Sequence, residues 1–197
     1  MGTRVVRAAS LARVPWKNGG GTTAEIAAHP EGAGLDAFAW RISLADVASD
    51  GPFSAFPGID RTLMLVEGTR LALAVEGASH DLEAPGASWS FAGEENVAAQ
   101  LQAGPIRDLN VMTRRAVFRH RMRLVRAGVI VPDEDARTLV LVALDGPFDA
   151  VVDGTIHSLG RLDALVAGIP PGMLPGILPL AGTGRAVLIE ITPEDAP

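Results

Sequence analysis

Residues 61–77 read RTLMLVEGTRLALAVEG, and this stretch decides the fold. Two short apolar runs, 62–66 and 70–75, are each followed by a Glu-Gly pair, at Glu67-Gly68 and Glu76-Gly77. Short apolar or alternating runs bounded by glycine are typical of strands that end in tight turns. The stretch therefore predicts two β-strands in succession.

The same pattern recurs along the whole chain. Further runs of this kind cover residues 22–28, 38–44, 87–91, 97–101, 109–112, 138–144, 148–152, 161–166 and 186–191. The 22 glycines and 14 prolines interrupt the chain too often for long helices. So many strands with turn signals between them indicate an all-β protein, a sandwich or barrel of antiparallel strands.

Composition bounds the size of the protein and its partners. A chain of 197 residues predicts one compact body or two small fused ones. Lysine and arginine number 17 against 23 aspartates and glutamates, a net charge of −6, so we expect no nucleic-acid partner and no anionic membrane surface. The basic run 118–123 is interpreted as a strand in preference to a local basic patch. No segment has the apolar length of a signal peptide or membrane helix, which predicts a cytoplasmic protein.

The residue types present exclude several kinds of site. With no cysteine there is no disulfide framework, zinc ribbon, iron–sulfur cluster or cysteine nucleophile. The histidines do not form a His-X-His pair, so we expect neither a metal centre nor another cofactor. They are His29, His80, His120 and His157. No Gly-X-Ser-X-Gly elbow is present, and the catalytic residues, if any, stay unassigned.

The first candidate segment is Pro15-Trp16-Lys17-Asn18-Gly19-Gly20-Gly21. A phosphate-binding loop needs its lysine after the glycines, and here the order is reversed. Two interpretations stay open. The segment is either a glycine turn leading into a strand, or a ligand-contacting loop in which Lys17 supplies a positive charge.

The second candidate segment is Trp40-Arg41-Ile42-Ser43-Leu44. Alternation along a strand places Arg41 and Ser43 on one face and the three apolar side chains on the other. Arg41 is either paired with Asp46 or Asp50 or lines a cavity as a free cation. The turn-rich connector 50–61 follows, whose two phenylalanines should close one end of a barrel, and Arg61 begins the next strand.

The third candidate segment is residues 107–115. Alternation places Asp108, Asn110, Met112 and Arg114 on one face. An amide, a thioether and a guanidinium on one face make a poor core and a good pocket lining, although a solvent-exposed sheet edge is the alternative.

Taken together, these segments resemble the HutD/Ves family. The resemblance rests on Pro15-Trp16-Lys17-Asn18-Gly19-Gly20-Gly21, on Trp40-Arg41-Ile42-Ser43, on the 50–61 connector and on Asp108-Leu109-Asn110-Val111-Met112-Thr113-Arg114-Arg115. It covers residues 13–115 strongly. It implies a cupin-type antiparallel β-barrel protein without the usual cupin metal ligands, a compact bicupin of RmlC-like jelly rolls. Residues 1–115 would form a first barrel with the ligand pocket, and residues 116–197 a second, plainer barrel, with or without strands shared between them.

The resemblance also implies a function in bacterial histidine utilisation or in a stress response. In the first branch the protein binds a pathway metabolite such as urocanate or formylglutamate and restrains induction of the pathway. The ligand-binding residues that carry over are Lys17, Asn18, Arg41, Ser43, Arg61, Asn110, Met112 and Arg114. Their cationic members suit a small anionic metabolite, because arginine forks match carboxylates in two-point contacts.

Three classes of function therefore remain as hypotheses. The first is a metal-free binding protein that holds an anionic metabolite without turnover. The second is a metal-independent cupin isomerase or epimerase acting on a small acid or sugar, with Lys17 as the base. The third is an interaction module whose second barrel makes a homodimer interface.

The first hypothesis leads to two geometric expectations. Asn110, Met112 and Arg114 should face the same interior as Arg41 and Ser43, with the apolar residues of that second segment packed on the opposite face. Lys17, Arg41, Arg61 and Arg114 should also converge in one cavity, where a small anion would bind readily.

Overall fold

The expected all-β class is confirmed by a computed structural model, which describes residues 2–170, 172–173, 175–176 and 178–194. The described residues form antiparallel β-strands and one short 3-10 helix, Ala8–Ser10. The strands are β1 (Thr3–Val6), β2 (Arg13–Pro15), β3 (Gly21–His29), β4 (Trp40–Val47), β5 (Gly51–Pro52), β6 (Ile59–Glu67), β7 (Leu71–Val75), β8 (Ala78–Leu82), β9 (Ser88–Ala92), β10 (Val97–Leu101), β11 (Ile106–Arg114), β12 (Phe118–Val125), β13 (Gly128–Ile130), β14 (Thr138–Ala143), β15 (Phe148–Val152), β16 (Thr155–Leu159), β17 (Ala164–Gly168), β18 (Leu178–Gly182) and β19 (Ala186–Pro193). No helix in this part of the chain has the length and apolarity to cross a membrane.

The strands divide into two units. Residues 12–116 form one unit, and residues 2–11 with 117–194 form the other. The N-terminal segment belongs to the second unit because β1 pairs with β17, with Val5 opposite Leu165. This differs from the expected first domain of residues 1–115, since a strand as short as β1 carries no sequence signal for its distant partner.

The unit of residues 12–116 consists of two antiparallel sheets that share one core. The larger has the strand order β2-β3-β4-β11-β6-β9 and the smaller β5-β10-β7-β8. Leu63 and Leu65 of the larger sheet and Leu71 and Leu73 of the smaller one belong to the same apolar cluster. The two strands predicted from residues 61–77 therefore lie in different sheets, β6 in the larger and β7 in the smaller.

The larger sheet of this unit is buried on both faces. Val47 contributes to the shared core, whereas Trp40, Ile42 and Leu44 are buried on the opposite face of the same strand. Trp40 stacks on His29 of the neighbouring strand at a centroid distance of 5.9 Å. Burial of both faces explains why β4 is apolar at most positions and why its three polar residues, Arg41, Ser43 and Asp46, stand out.

The second unit has a similar construction. Its five-stranded sheet has the order β1-β17-β14-β19-β12, and its four-stranded sheet the order β13-β18-β15-β16. Leu141 and Leu188 from the first sheet pack with Phe148 and Leu180 from the other. The basic run 118–123 lies in strand β12, as expected.

A partly buried ion pair occupies the core face of the five-stranded sheet. Glu190 on β19 is 1% exposed, and its carboxylate accepts hydrogen bonds from Arg123 Nε at 3.1 Å and from the backbone N–H of Asp133 at 2.9 Å. Arg119 lies four residues before Arg123 on β12. It pairs at longer distance with Asp135 and Glu194, in more exposed positions. The two arginines thus differ mainly in how deeply their partners are buried.

We expect Arg123→Ala to lower the free energy of unfolding by about 2–4 kcal/mol, because it leaves the buried Glu190 carboxylate without its cation. Arg119→Ala, the control on the same strand, should change it by less than about 1 kcal/mol. Urea unfolding of both variants measures this difference. Equal destabilisation would contradict the interpretation.

Candidate functional site

Strands β4, β11 and β6 lie side by side and bring polar residues into adjacent rows. Met112 is paired with Arg41 on one side and Arg61 on the other. Directly paired residues of antiparallel strands point to the same face of the sheet. Asn110 is paired in the same way with Ser43 and with the core residue Leu63.

These residues therefore face the core shared by the two sheets. The pairings confirm the expectation that Asn110 and Met112 lie on the same face as Arg41 and Ser43. One row further along, Asp108 is paired with Ala45 and with the core residue Leu65. We call Glu25, Arg41, Ser43, Arg61, Asp108 and Asn110 the polar cluster.

Glu25 joins the polar cluster from the neighbouring strand β3. It is paired with Ser43 in the same register as Gly21 to Ala24, and the register shifts only after it, before Ala27. Because paired residues point to the same face, the Glu25 side chain lies on the core face beside Arg41. Glu25 Oε2 accepts a hydrogen bond from Arg41 Nε at 2.8 Å. The expected partners of Arg41 do not take this role. Asp46 accepts a hydrogen bond from Arg107, and Asp50 accepts one from the backbone N–H of Leu101.

Arg61 is held among aromatic rings. It is 3% exposed, and its guanidinium carbon lies 5.3, 5.6 and 4.9 Å from the ring centroids of Phe53, Phe56 and Phe91. Its Nη1 donates to the carbonyl oxygen of Ser54 at 3.2 Å. Both phenylalanines of the 50–61 connector thus pack against this cation, which stabilises a charge in an otherwise apolar place.

Asp108 is the most deeply buried charged side chain of the polar cluster, at 0% exposure. Neither of its carboxylate oxygens has a hydrogen-bond partner. Burial raises the pKa of Asp108 to about 7, and the positive charge of Arg61 opposes that rise. Burial lowers the pKa of Arg61 to about 10, with Asp108 acting against the shift and Arg41 adding to it.

The polar cluster is rich in unsatisfied hydrogen-bonding atoms. Within the described part of the chain, the buried side-chain atoms without a hydrogen-bond partner are Arg61 Nε, Asp108 Oδ1 and Oδ2, and Asn110 Oδ1. All of them belong to the polar cluster. Native proteins satisfy nearly all buried polar atoms, so such a concentration points to a molecule that fills the site.

The second unit buries a charged side chain in a different way. The core face of its strand β19 carries Ala186 and Leu188 together with Glu190, whose carboxylate is satisfied by Arg123 and by the backbone N–H of Asp133. A cavity of about 140 Å³ in that unit is lined largely by apolar side chains such as Leu141 and Leu165, and no lysine or arginine is found among its described lining residues. Buried cations beside an unpaired carboxylate are therefore particular to the polar cluster.

Lys17 and Asn18 lie elsewhere, which corrects the expected convergence of four cations. Both are exposed, in a turn where Gly19 N–H donates to the carbonyl oxygen of Trp16 and Asn18 Oδ1 accepts from Gly20 N–H. Gly21 follows this turn and pairs with the last residue of β4, whereas Arg41 is the second residue of that strand. Six residues along a strand span about 20 Å, beyond the reach of a lysine side chain.

The glycines of this turn have a structural role. A Cβ on Gly21 would overlap the backbone carbonyl oxygen of Asp46, so β3 can lie beside β4 there only with glycine. The geometry thus matches the interpretation of a glycine turn that leads into a strand.

The remaining sequence-predicted residues lie at one margin of the polar cluster. Met112 is 2% exposed and packs in an apolar group with Phe38 and Ile59. Arg114 ends β11, and its Nη2 donates to the carbonyl oxygen of Phe38 at 3.2 Å. Both side chains close this end of the core, and neither is among the residues with unsatisfied buried atoms.

Sequence analysis missed two members of the polar cluster. Asp108 was placed on the correct face but was not selected, although an aspartate between apolar neighbours in a strand is the signal that could have found it. Glu25 lies within the predicted run 22–28, but nothing in the local sequence shows that Arg41 of the neighbouring strand is its partner. Among the described residues, no group of three or more histidines and acidic residues is placed to hold a metal ion.

Comparison with known proteins gives the family. The HutD family profile matches residues 8–178. An uncharacterised 21.2 kDa protein from the hutC 3′ region of Pseudomonas putida is 34% identical over 192 residues, which is 95% of this chain and 96% of that protein. Protein Ves of Citrobacter koseri is 40% identical over 111 residues, 55% of this chain and 56% of Ves.

Solved structures agree. HutD from Pseudomonas fluorescens SBW25 superposes with a TM-score of 0.82 at 34% identity, covering 98% of this chain and 100% of that one. A cupin 2 conserved barrel domain protein from Leptotrichia buccalis shares the fold at a TM-score of 0.61 and 11% identity, covering 97% of this chain and 96% of that one. The chain belongs to the HutD family, which is related to histidine utilisation and has a cupin-like β fold.

Proposed function

We propose that the protein binds a small anionic metabolite at the polar cluster, without turning it over. The observation that carries this proposal is the concentration of unsatisfied buried polar atoms beside two arginines. A ligand of the size of urocanate or formylglutamate has a carboxylate for the cations and polar groups for the remaining atoms. Family membership supports a role as a modulator of histidine utilisation, with a stress response as the alternative.

Arg41 is the cation that a ligand would meet first. Its side chain is 14% exposed and that of its partner Glu25 is 36% exposed, whereas Arg61 is 3% exposed. The Glu25 carboxylate occupies the guanidinium as a ligand carboxylate would. In this proposal the ligand displaces Glu25 from Arg41 and extends inward to Arg61 and Asp108.

The proposal includes a cupin-type jelly-roll barrel for each unit, so that the chain is a compact bicupin with ligand in the first barrel. The two-sheet construction of each unit supports this. The protein would act in the cytoplasm, with the metabolite as its partner and neither nucleic acid nor membrane involved. A homodimer remains compatible with this role.

We expect Arg41→Ala to weaken binding of urocanate or N-formylglutamate by about 2–3 kcal/mol, about 30- to 150-fold in Kd, because the ligand carboxylate loses its paired cation. Glu25→Gln should strengthen binding by about 3- to 10-fold, since it removes the competing carboxylate. Isothermal titration calorimetry measures both effects.

Arg70→Ala is the matched control, because Arg70 is an exposed residue directly before β7 that pairs with Asp81 of β8 in the same unit. Its affinity should equal that of the wild type. The same affinity in all four proteins would show that the ligand binds away from the polar cluster. Absence of binding by the wild type to either acid would reject the proposed ligand class.

A second function is favoured by one observation, the pKa of Asp108 near 7 in a buried site. A carboxylate of this kind is suited to abstract and return a proton at neutral pH, as an isomerase or epimerase without a metal requires. Lys17, the base first considered, is exposed and distant, so Asp108 takes its place in this alternative.

If this alternative holds, N-formylglutamate incubated in D₂O should acquire deuterium at its α-carbon, and Asp108→Asn should abolish the exchange. If the proton NMR spectrum is unchanged after a day, the isomerase or epimerase function is rejected and only the binding function remains.

The burial of Asp108 has a consequence for stability. Because its pKa is near 7 in the folded protein and near 4 in an unfolded chain, the folded state holds the extra proton between these values. Stability from this group is therefore greatest below about pH 4 and is lost as the pH rises through 7. An uncharged amide at the same position does not carry this penalty.

We expect Asp108→Asn to gain stability relative to the wild type as the pH rises from 5 to 8, by about 2–3 kcal/mol across that interval. Asp36→Asn, a change at an exposed position, should show no such trend. Chemical unfolding at several pH values measures the difference. A stability difference that stays constant with pH would contradict the raised pKa.

A further inference from the structure

Most of the unsatisfied atoms of the polar cluster are hydrogen-bond acceptors. Asp108 Oδ1, Asp108 Oδ2 and Asn110 Oδ1 are acceptors, and Arg61 Nε is a donor. Asp108 and Asn110 are alternate residues of β11, so their side chains leave the same face two residues apart. The acceptors therefore form a group of their own on the central strand.

The cations cannot satisfy these acceptors. Arg61 lies close enough to Asp108 for each charge to affect the other's pKa, yet no hydrogen bond joins them, because both carboxylate oxygens lack a partner. Arg61 is held back by its aromatic neighbours and by the Ser54 carbonyl oxygen. Arg41 is engaged by Glu25. The acceptor atoms of Asp108 and Asn110 are thus left unpaired although two arginines lie on the same face of the sheet.

We propose that Asp108 and Asn110 form a hydrogen-bond-accepting subsite, which selects an anion that carries an N–H or O–H donor over an isosteric anion without one. This inference rests on the proposed function, since it concerns the other end of the same ligand. The carboxylate of the ligand pairs with Arg41 and Arg61, and its donor forms a hydrogen bond to Asp108. An anion without the donor leaves the acceptors unpaired, and a buried unpaired acceptor is costly.

The subsite also links binding to protons. The titratable and charged groups that face this core are Glu25 on β3, Arg41 on β4, Arg61 on β6 and His80 on β8, which stacks on Trp89 at 4.2 Å. Asp108 can accept hydrogen bonds at both of its oxygens only when it is ionised, so a donor group on the ligand favours the ionised form. Binding of a donor-bearing anion near pH 6.5 should therefore release protons, and its affinity should rise toward pH 8.

The matched probes are 3-(pyrrol-2-yl)acrylate and 3-(furan-2-yl)acrylate, which differ by a ring N–H in place of a ring oxygen. Neither ring titrates between pH 5 and 9, so any proton released comes from the protein. We expect the pyrrole acid to bind at least about 10-fold more tightly than the furan acid. Calorimetry in two buffers of different ionisation enthalpy should detect proton release with the pyrrole acid alone.

Two substitutions separate this inference from the proposed function. Asp108→Asn should lower the affinity for the pyrrole acid about 10-fold or more and leave that for the furan acid unchanged or higher, whereas Arg41→Ala should weaken both. Equal binding of the two acids, no difference in proton release, or an equal loss with Asp108→Asn would overturn the accepting subsite while leaving carboxylate binding intact. If neither acid binds the wild type, carboxylate binding at this site is rejected, and the subsite with it. The proton measurement needs no variant and so holds even if Asp108→Asn folds poorly.

Discussion

Burying an ionisable carboxylate in an apolar core opposes folding unless something compensates it, and Asp108 lies at such a position on the core face of β11. Its neighbours follow from this constraint. Arg61 supplies an opposite charge without a hydrogen bond, three phenylalanine rings hold Arg61 in place, and Arg41 completes the positive field while bound to Glu25. The strand that centres the sheet thus carries the charge around which the rest of the polar cluster is arranged.

Two buried carboxylates, Glu190 and Asp108, differ in whether the protein itself satisfies them. Glu190 is as buried as Asp108, yet Arg123 and the Asp133 backbone satisfy its carboxylate. A satisfied buried pair maintains a fold and needs nothing else. Asp108 lacks such partners, so no hydrogen bond offsets the cost of burying its charge. This contrast supports the proposal of a ligand at the polar cluster.

The geometry also separates the motif residues of the polar cluster from those that stabilise the fold. The glycine turn holds β3 against β4, with Gly21 too close to the Asp46 carbonyl oxygen for any side chain. Met112 and Arg114 close one margin of the core near Phe38. The motif that identifies the family therefore mixes structural requirements with site residues, and the sequence pattern alone does not separate them.

Alternation and turn residues determined the all-β class and the strand positions, because each strand is encoded by a few consecutive residues: the runs 97–101 and 148–152 coincide with β10 and β15. They also determined that Asn110, Met112, Arg41 and Ser43 share a face, given a regular register. Polar or very short strands such as β8 and β1 escaped detection, since they bury few side chains and depend on partners distant in sequence. Only the tertiary structure decided that Glu25 pairs with Arg41, that the turn holding Lys17 adjoins the opposite end of β4 from Arg41, and that the Asp108 carboxylate is left without a hydrogen-bond partner. Register shifts and long-range pairings are set by packing between strands, and no local stretch of sequence contains them.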